Sequence, residues 1–88
     1  ARLKPEQDAL VDAMMSMVQI VALKESLSPA VLASRKQLAA LLQQQDNSDI
    51  ELLHGWRRNL IGTQLRAFLR GELVLRVEDG ELSVVDNT

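Results

Sequence analysis

The first third of the chain is apolar around almost the whole circumference of a predicted helix. Between residues 9 and 23 the polar positions are Asp12, Ser16 and Gln19, and their spacing places them on one narrow stripe. A helix that is polar on so thin a face is surrounded by other elements. We therefore predict a central helix with Pro5 in its first turn, whose three methionines (14, 15 and 17) fill the core rather than line a binding groove.

Shorter helices are predicted in the middle of the chain. Ser28 is positioned to cap about one helical turn over residues 29–33, and Ser34 to cap a second helix with its leucines on one face. After a polar break, a capping-box pattern predicts a short helix over residues 48–54 that ends at Gly55.

One more amphipathic helix is predicted from about residue 56 to residue 70, with Gly71 as its stop. Gly62 lies in its middle, and a close crossing with another helix would explain a glycine there. The apolar positions of this helix are Trp56, Leu60, Ile61, Leu65, Phe68 and Leu69.

The last residues change from a helical period to strict alternation. Asp79-Gly80 lies between two alternating runs, which predicts a β-hairpin with a two-residue turn. Pairing outward from the turn sets Glu78 opposite Glu81, Val77 opposite Leu82, and Leu75 opposite Val84. The last two pairs share an apolar face, which should pack on the helices or on a partner because a lone hairpin is barely stable.

Composition narrows the class of protein. The chain has 88 residues, a net charge of -2 and no cysteine, so we expect a small globular protein without disulfides or thiolate metal sites. No apolar run is long enough to cross a membrane, and the start lacks the apolar middle of a secretory signal. We expect a cytoplasmic location and, because the chain begins at Ala1 rather than methionine, a fragment or processed product of a longer protein.

The sequence contains few residues that could form a catalytic or metal site. His54 is the sole histidine, and without cysteine or a second histidine it cannot build a typical zinc site. The carboxylates show no obvious catalytic pair, and neither a phosphate-binding glycine loop nor a nucleophile motif is present. We predict no catalytic residues, no metal site and no cofactor in this chain.

The basic residues are better candidates for function, because residues 34–71 have a net charge of +3. Arg58, Arg66 and Arg70 fall within about 120° of one another on the last helix, and Arg35 and Lys36 begin a neighbouring helix. Such a surface can contact nucleic-acid phosphates, or it can be an ordinary solvated face. Without exposed aromatic residues it has little means to read sequence.

Trp56 poses a separate question, because Arg57 and Arg58 follow it directly. A ring beside two cations could stack on a base, but Trp56 is in register with Leu60 on the apolar stripe. We predict that Trp56 and Leu60 are structural anchors on the inner side of the helix, with Trp56 in the core or at its edge. Arg57 joins the candidate phosphate contacts.

Two stretches resemble the helicase-and-RNase-D C-terminal (HRDC) domain, most closely the C-terminal copy in bacterial ribonuclease D. They are SPAVLASRKQLAALL and LLHGWRRNLIGTQLRAFLRG, which occur in the family's order, although Asn59 stands where the pattern has an acidic residue. The resemblance covers roughly residues 9–71. With the helix pattern it implies a mainly α, compact bundle of four to five helices over residues 1–71, with the hairpin and acidic tail of residues 72–88 as an extension.

The resemblance also implies a function. The parent would be a 3'-5' exoribonuclease that trims tRNA and other RNA ends, with acidic residues and divalent metal ions in a separate nuclease domain. This domain would be a monomeric auxiliary module that binds and positions tRNA-like RNA. Two alternatives remain: a structural module that docks on the parent's nuclease domain, and the HRDC domain of a RecQ-like helicase that binds single-stranded DNA.

Overall fold

Four helices and a β-hairpin follow one another in the computed structural model, which describes residues 3–43 and 55–87. This confirms the mainly helical fold with a C-terminal hairpin. The short helix predicted over residues 48–54 lies outside the described residues. The elements are α1 (Pro5–Glu25), α2 (Pro29–Leu32), α3 (Arg35–Gln43), α4 (residues 55–69), β1 (Leu73–Glu78) and β2 (Glu81–Asp86).

Helix α1 is the centre of the fold, as its apolar circumference predicts. Helices α2, α3 and α4 and strand β2 all contact it. Met14 and Met17 are fully buried, while Asp12 and Gln19 on the predicted polar stripe are exposed. The buried core of the described residues is Val11, Met14, Met17, Val18, Val21, Ala22, Leu32, Ala33, Leu38, Leu41, Ile61 and Leu65. Met14 and Met17 therefore fill the core, as predicted, while Met15 is only partly buried against it.

A reciprocal hydrogen-bonded cap starts α3. The Ser34 hydroxyl accepts a hydrogen bond from the Gln37 backbone N–H at 3.1 Å, and the Ser34 backbone N–H donates to Gln37 Oε1 at 2.8 Å. This arrangement satisfies two backbone donors that a helix start leaves without intrahelical partners. Ser28 occupies the equivalent position before α2, but its side chain makes no capping hydrogen bond. The prediction of a serine cap is therefore confirmed at Ser34 and wrong at Ser28, which precedes α2 without a capping hydrogen bond.

Helix α4 is not the regular α-helix that the spacing predicts. Its α-helical parts, Gly55–Arg57 and Thr63–Leu69, are separated by a π segment, Arg58–Gly62. In this segment the Thr63 backbone N–H donates to the Arg58 carbonyl, five residues back instead of four. The Gln64 side chain donates to the Leu60 carbonyl at 3.1 Å, which adds a hydrogen bond within the altered ladder. Gly62 is buried in the segment that contacts α1, which agrees with the predicted close crossing.

The hairpin has the register that the sequence predicts. Leu75 pairs with Val84, Val77 with Leu82, and Glu78 with Glu81. Asp79 and Gly80 have φ values of 52° and 79°, the positive pair that a type I′ turn requires. Leu75 and Val84 pack against the core. The outer pair is different: Val77 is 70% exposed and Leu82 is 40% exposed, so only the base of the predicted apolar face is covered.

Arg57 ties the start of α4 to α2. Its guanidinium donates two hydrogen bonds to the Val31 carbonyl, at 3.1 and 3.3 Å. The same group lies 4.6 Å from the ring centroid of Trp56, within the range of a cation–π contact. Arg57 is half-buried, and the contacts that its guanidinium makes are structural.

Trp56 lies at the edge of the core rather than inside it. The side chain is 46% exposed, whereas Leu60 is partly buried against the core. The π segment does not cause this exposure, because a regular helix would place Trp56 about 180° around α4 from Leu65. The segment takes one extra residue into a turn, which at about 100° per residue leaves Trp56 roughly 80° around α4 from Leu65. That position is at the margin of the buried face.

The two serines before α2 and α3 offer a matched test of capping. Ser34→Ala should lower the free energy of unfolding by about 1 kcal/mol, because the Gln37 N–H loses its acceptor. Ser28→Ala removes the same hydroxyl from a position where it makes no cap bond, and should have a much smaller effect. Urea unfolding of both variants measures the difference, and equal losses would contradict this account of the α3 cap.

Neighbouring arginines allow a second comparison. Arg57→Ala should cost about 1 kcal/mol of stability, because two hydrogen bonds to a carbonyl and the cation–π contact are lost at a partly exposed site. Arg58→Ala should change stability by no more than about 0.5 kcal/mol, since this side chain is exposed. Thermal and urea unfolding would detect the contrast. If Arg58→Ala were the more destabilising change, the assignment of Arg57 as the tether would fail.

Candidate nucleic-acid interface

Three of the predicted basic residues lie together on the outer face of α4. Arg58, Arg66 and Arg70, with Thr63, line a shallow depression of about 230 Å³, here named the α4 depression. No carboxylate is among its lining residues. Three guanidinium groups and one hydroxyl can offer several hydrogen-bond donors to an anion, and arginine matches the geometry of phosphate oxygens. Chemically, the depression suits a phosphate group.

Arg58 and Arg66 are the cations of this site that have no carboxylate partner in the described part of the chain. Arg58 is exposed and Arg66 is half-buried. Arg70 differs, because its Nε donates to Glu72 at 2.9 Å and a second guanidinium nitrogen lies 3.4 Å from the other oxygen of that carboxylate. A phosphate that used Arg70 would have to compete with Glu72. Arg58 and Arg66 therefore offer the more accessible charge.

Arg35 lies at the start of α3, outside the α4 depression, and carboxylates of α1 balance its positive charge. Its guanidinium forms ion pairs with Asp12 and Asp8 of α1, the latter at 3.6 Å. The hydrogen bond to Asp12 is the main cause that raises the pKa of Arg35. The polar stripe of α1 thus has a partner on α3. An arginine held by two carboxylates is a weaker candidate for phosphate binding than sequence position suggests.

Lys36 and Arg57 complete the predicted set, and neither lines the α4 depression. Lys36 is exposed at the start of α3. Arg57 is turned toward α2 and the Trp56 ring. The structure therefore brings together three of the six predicted arginine and lysine candidates and disperses the others.

Thr63 is the member of the site that the sequence interpretation missed. It follows Arg58 by five residues, a spacing that does not align side chains on a regular α-helix. Only the π segment makes this spacing equivalent to one turn. No residue pattern in the chain predicts the π segment, although a glycine in the middle of a helix, Gly62, indicates an unusual site there.

Other kinds of site find no support among the described residues. Within residues 3–43 and 55–87, no group of three or more His, Cys, Asp or Glu side chains could hold a metal ion. His54, the sole histidine, lies outside those ranges. In the same part of the chain, no helix has the length and apolar character of a membrane span.

A second, larger concavity lies on another side of the molecule. It runs between the end of α1, the π segment and β2, and its volume is about 890 Å³. Leu82 lines it together with Leu23, which is 84% exposed. Asn59 also faces this groove, so Asn59 and Arg58 point to different concavities although they are adjacent in sequence.

Comparison with known proteins identifies the family. The model of the ribonuclease D C-terminal HRDC domain matches residues 5–65, which span α1, α2, α3 and most of α4. The hairpin lies beyond the match. Searches of curated proteins and of solved structures returned no match. Because the matched region covers well over half of the 88 residues, the chain belongs to the ribonuclease D C-terminal HRDC domain family.

Proposed function

We propose that this domain binds RNA through the outer face of α4 and helps a ribonuclease D-like 3'-5' exoribonuclease hold its substrate. The family supports the general part of this proposal, a nucleic-acid-binding auxiliary domain of a ribonuclease D-like protein. One observation supports the choice of surface: Arg58 and Arg66 lie together without carboxylate partners among the described residues. Contacts to phosphates supply affinity that does not depend on base sequence.

Weak, non-specific binding is the form of recognition that these residues favour. The chain has a net charge of -2, so its overall field does not attract a polyanion. Trp56 is the one exposed aromatic side chain near the arginines, and Arg57 lies over its ring. Two or three phosphate contacts without extensive base stacking suit a domain that assists another RNA-binding surface.

The finer parts of the proposal concern the parent protein. We infer that tRNA-like RNA is the substrate, that the reaction occurs in the cytoplasm, and that divalent metal ions serve a nuclease domain outside this chain. In that arrangement the HRDC domain acts as a monomer beside the nuclease domain. Its part is to keep structured RNA close to an active site that it does not itself contain.

A second function is favoured by a different observation. Val77, Leu82 and Leu23 are exposed apolar side chains around the groove and the hairpin tip. They suit a protein interface, and the nuclease domain of a ribonuclease D-like parent is the partner that the family suggests. Such an interface would depend on Val77 and Leu82 and would be insensitive to Arg58 and Arg66. It would also respond little to salt, whereas phosphate binding weakens steeply.

A charge-matched pair of double variants tests the RNA proposal. Arg58→Ala/Arg66→Ala should weaken tRNA binding at low salt by about tenfold or more, because two phosphate contacts are lost. The slope of log affinity against log salt should fall by roughly 1.4 to 1.8. Fluorescence anisotropy with labelled tRNA, over a range of salt concentrations, measures both quantities.

Lys24→Ala/Arg76→Ala is the control, since it removes two cations that do not line the α4 depression. We expect it to change affinity by no more than about threefold, because distant surface charges are screened. Equal losses in the two double variants would show that net charge alone governs binding. No binding by the unmodified chain at low salt would reject the RNA proposal.

A further inference from the structure

The π segment gives the α4 depression a geometry that a regular helix would not have. In an uninterrupted α-helix, at about 100° per residue, Arg58 would lie roughly 80° from Arg66 and 120° from Arg70. Around the helix axis, the Arg58 side chain would lie within about 20° of the Leu65 side chain, which is fully buried. A regular α4 would therefore turn the Arg58 side chain toward the core.

The extra residue in the π turn changes that direction. It rotates the residues before the segment by one residue position, about 100°, around the helix axis relative to the residues after it. With this correction Arg58 lies about 20° from Arg66 and from Arg70, and Thr63 lies about 40° from Arg58. The four residues then form one line along the helix. Their shared lining of the α4 depression agrees with this alignment.

The depression is also large enough and polar enough to admit an anion. Its volume of about 230 Å³ is several times the roughly 30 Å³ that a water molecule occupies in the liquid, so a phosphate group fits. Along the helix axis Thr63 lies between Arg58 and Arg66, and all three line the depression. Donors of these residues can engage different oxygens of one phosphate.

We propose that the π segment builds a discrete phosphate-binding site from Arg58, Thr63 and Arg66, which takes one backbone phosphate of RNA. Arg70 is the fourth member, and it joins when its guanidinium leaves Glu72. The site rests on the proposed function, because RNA is the source of the phosphate. It differs from a diffuse basic surface, since the position of Arg58 on the helix matters as well as its charge.

Exchange of two adjacent residues tests this site without altering composition. Arg58→Asn/Asn59→Arg keeps every charge but moves the guanidinium from the α4 depression toward the groove that Asn59 lines. The probe is inorganic phosphate, titrated into the ¹⁵N-labelled chain while the arginine side-chain Nε–H resonances are followed by NMR. In the unmodified chain, the resonances of Arg58 and Arg66 should shift together and saturate with a single dissociation constant.

In the exchange variant, the affinity for phosphate at Arg66 should fall by roughly tenfold, as it should in Arg58→Gln. Arg66→Gln gives a second test that leaves the π segment unchanged and should weaken the response of Arg58 equally. An exchange variant that binds phosphate as tightly as the unmodified chain would overturn the inference. So would the absence of a saturable response in the unmodified chain.

Binding of a short single-stranded RNA by the same proteins separates this inference from the proposed function. If RNA binds the unmodified chain and the exchange variant equally, the discrete site is wrong while RNA binding stands. If phosphate saturates the site but RNA does not bind, the proposed function is wrong while the anion site stands. The expected result is a parallel loss of phosphate and RNA affinity in the exchange variant.

Discussion

Helix α1 has to be covered on nearly every side, because its polar positions occupy only one narrow stripe. The other described helices and strand β2 all pack against it, and its own residues supply half of the buried core. Burial of each large apolar side chain contributes about 1.5–3 kcal/mol relative to exposure, so this shared contact is the main source of stability in so small a chain. It also fixes which face of every neighbouring element turns inward.

For α4, that constraint determines the functional face as well. Ile61 and Leu65 have to reach the core beside α1, and both are fully buried. In a regular helix the same register would direct Arg58 inward, where an unpaired guanidinium is costly. The π segment keeps the two apolar residues buried and turns Arg58 outward. The arrangement that allows packing is thus also the one that aligns Arg58 with Thr63 and Arg66.

Features that depend on neighbouring residues could be predicted from the sequence. Asp79-Gly80 favours a two-residue turn, and that turn fixes the register of β1 and β2, so the pairing of the two strands could be predicted. Ser34 and Gln37 are three residues apart and form their cap locally. Packing and long-range partners could not be predicted in this way. The π segment is an example, because no local residue pattern predicts it, and it accounts for the place of Thr63.

The number of arginines in the sequence likewise does not give the number available to bind phosphate. Some arginines already form ion pairs with carboxylates or hydrogen bonds with backbone carbonyls. Chemical-shift mapping of the whole chain with a tRNA-like RNA would locate the surface that binds RNA. We expect the largest chemical-shift changes at Arg58, Thr63 and Arg66, and no change at Val77 and Leu82 at the hairpin tip. Changes centred on the hairpin, with none on α4, would contradict this expectation.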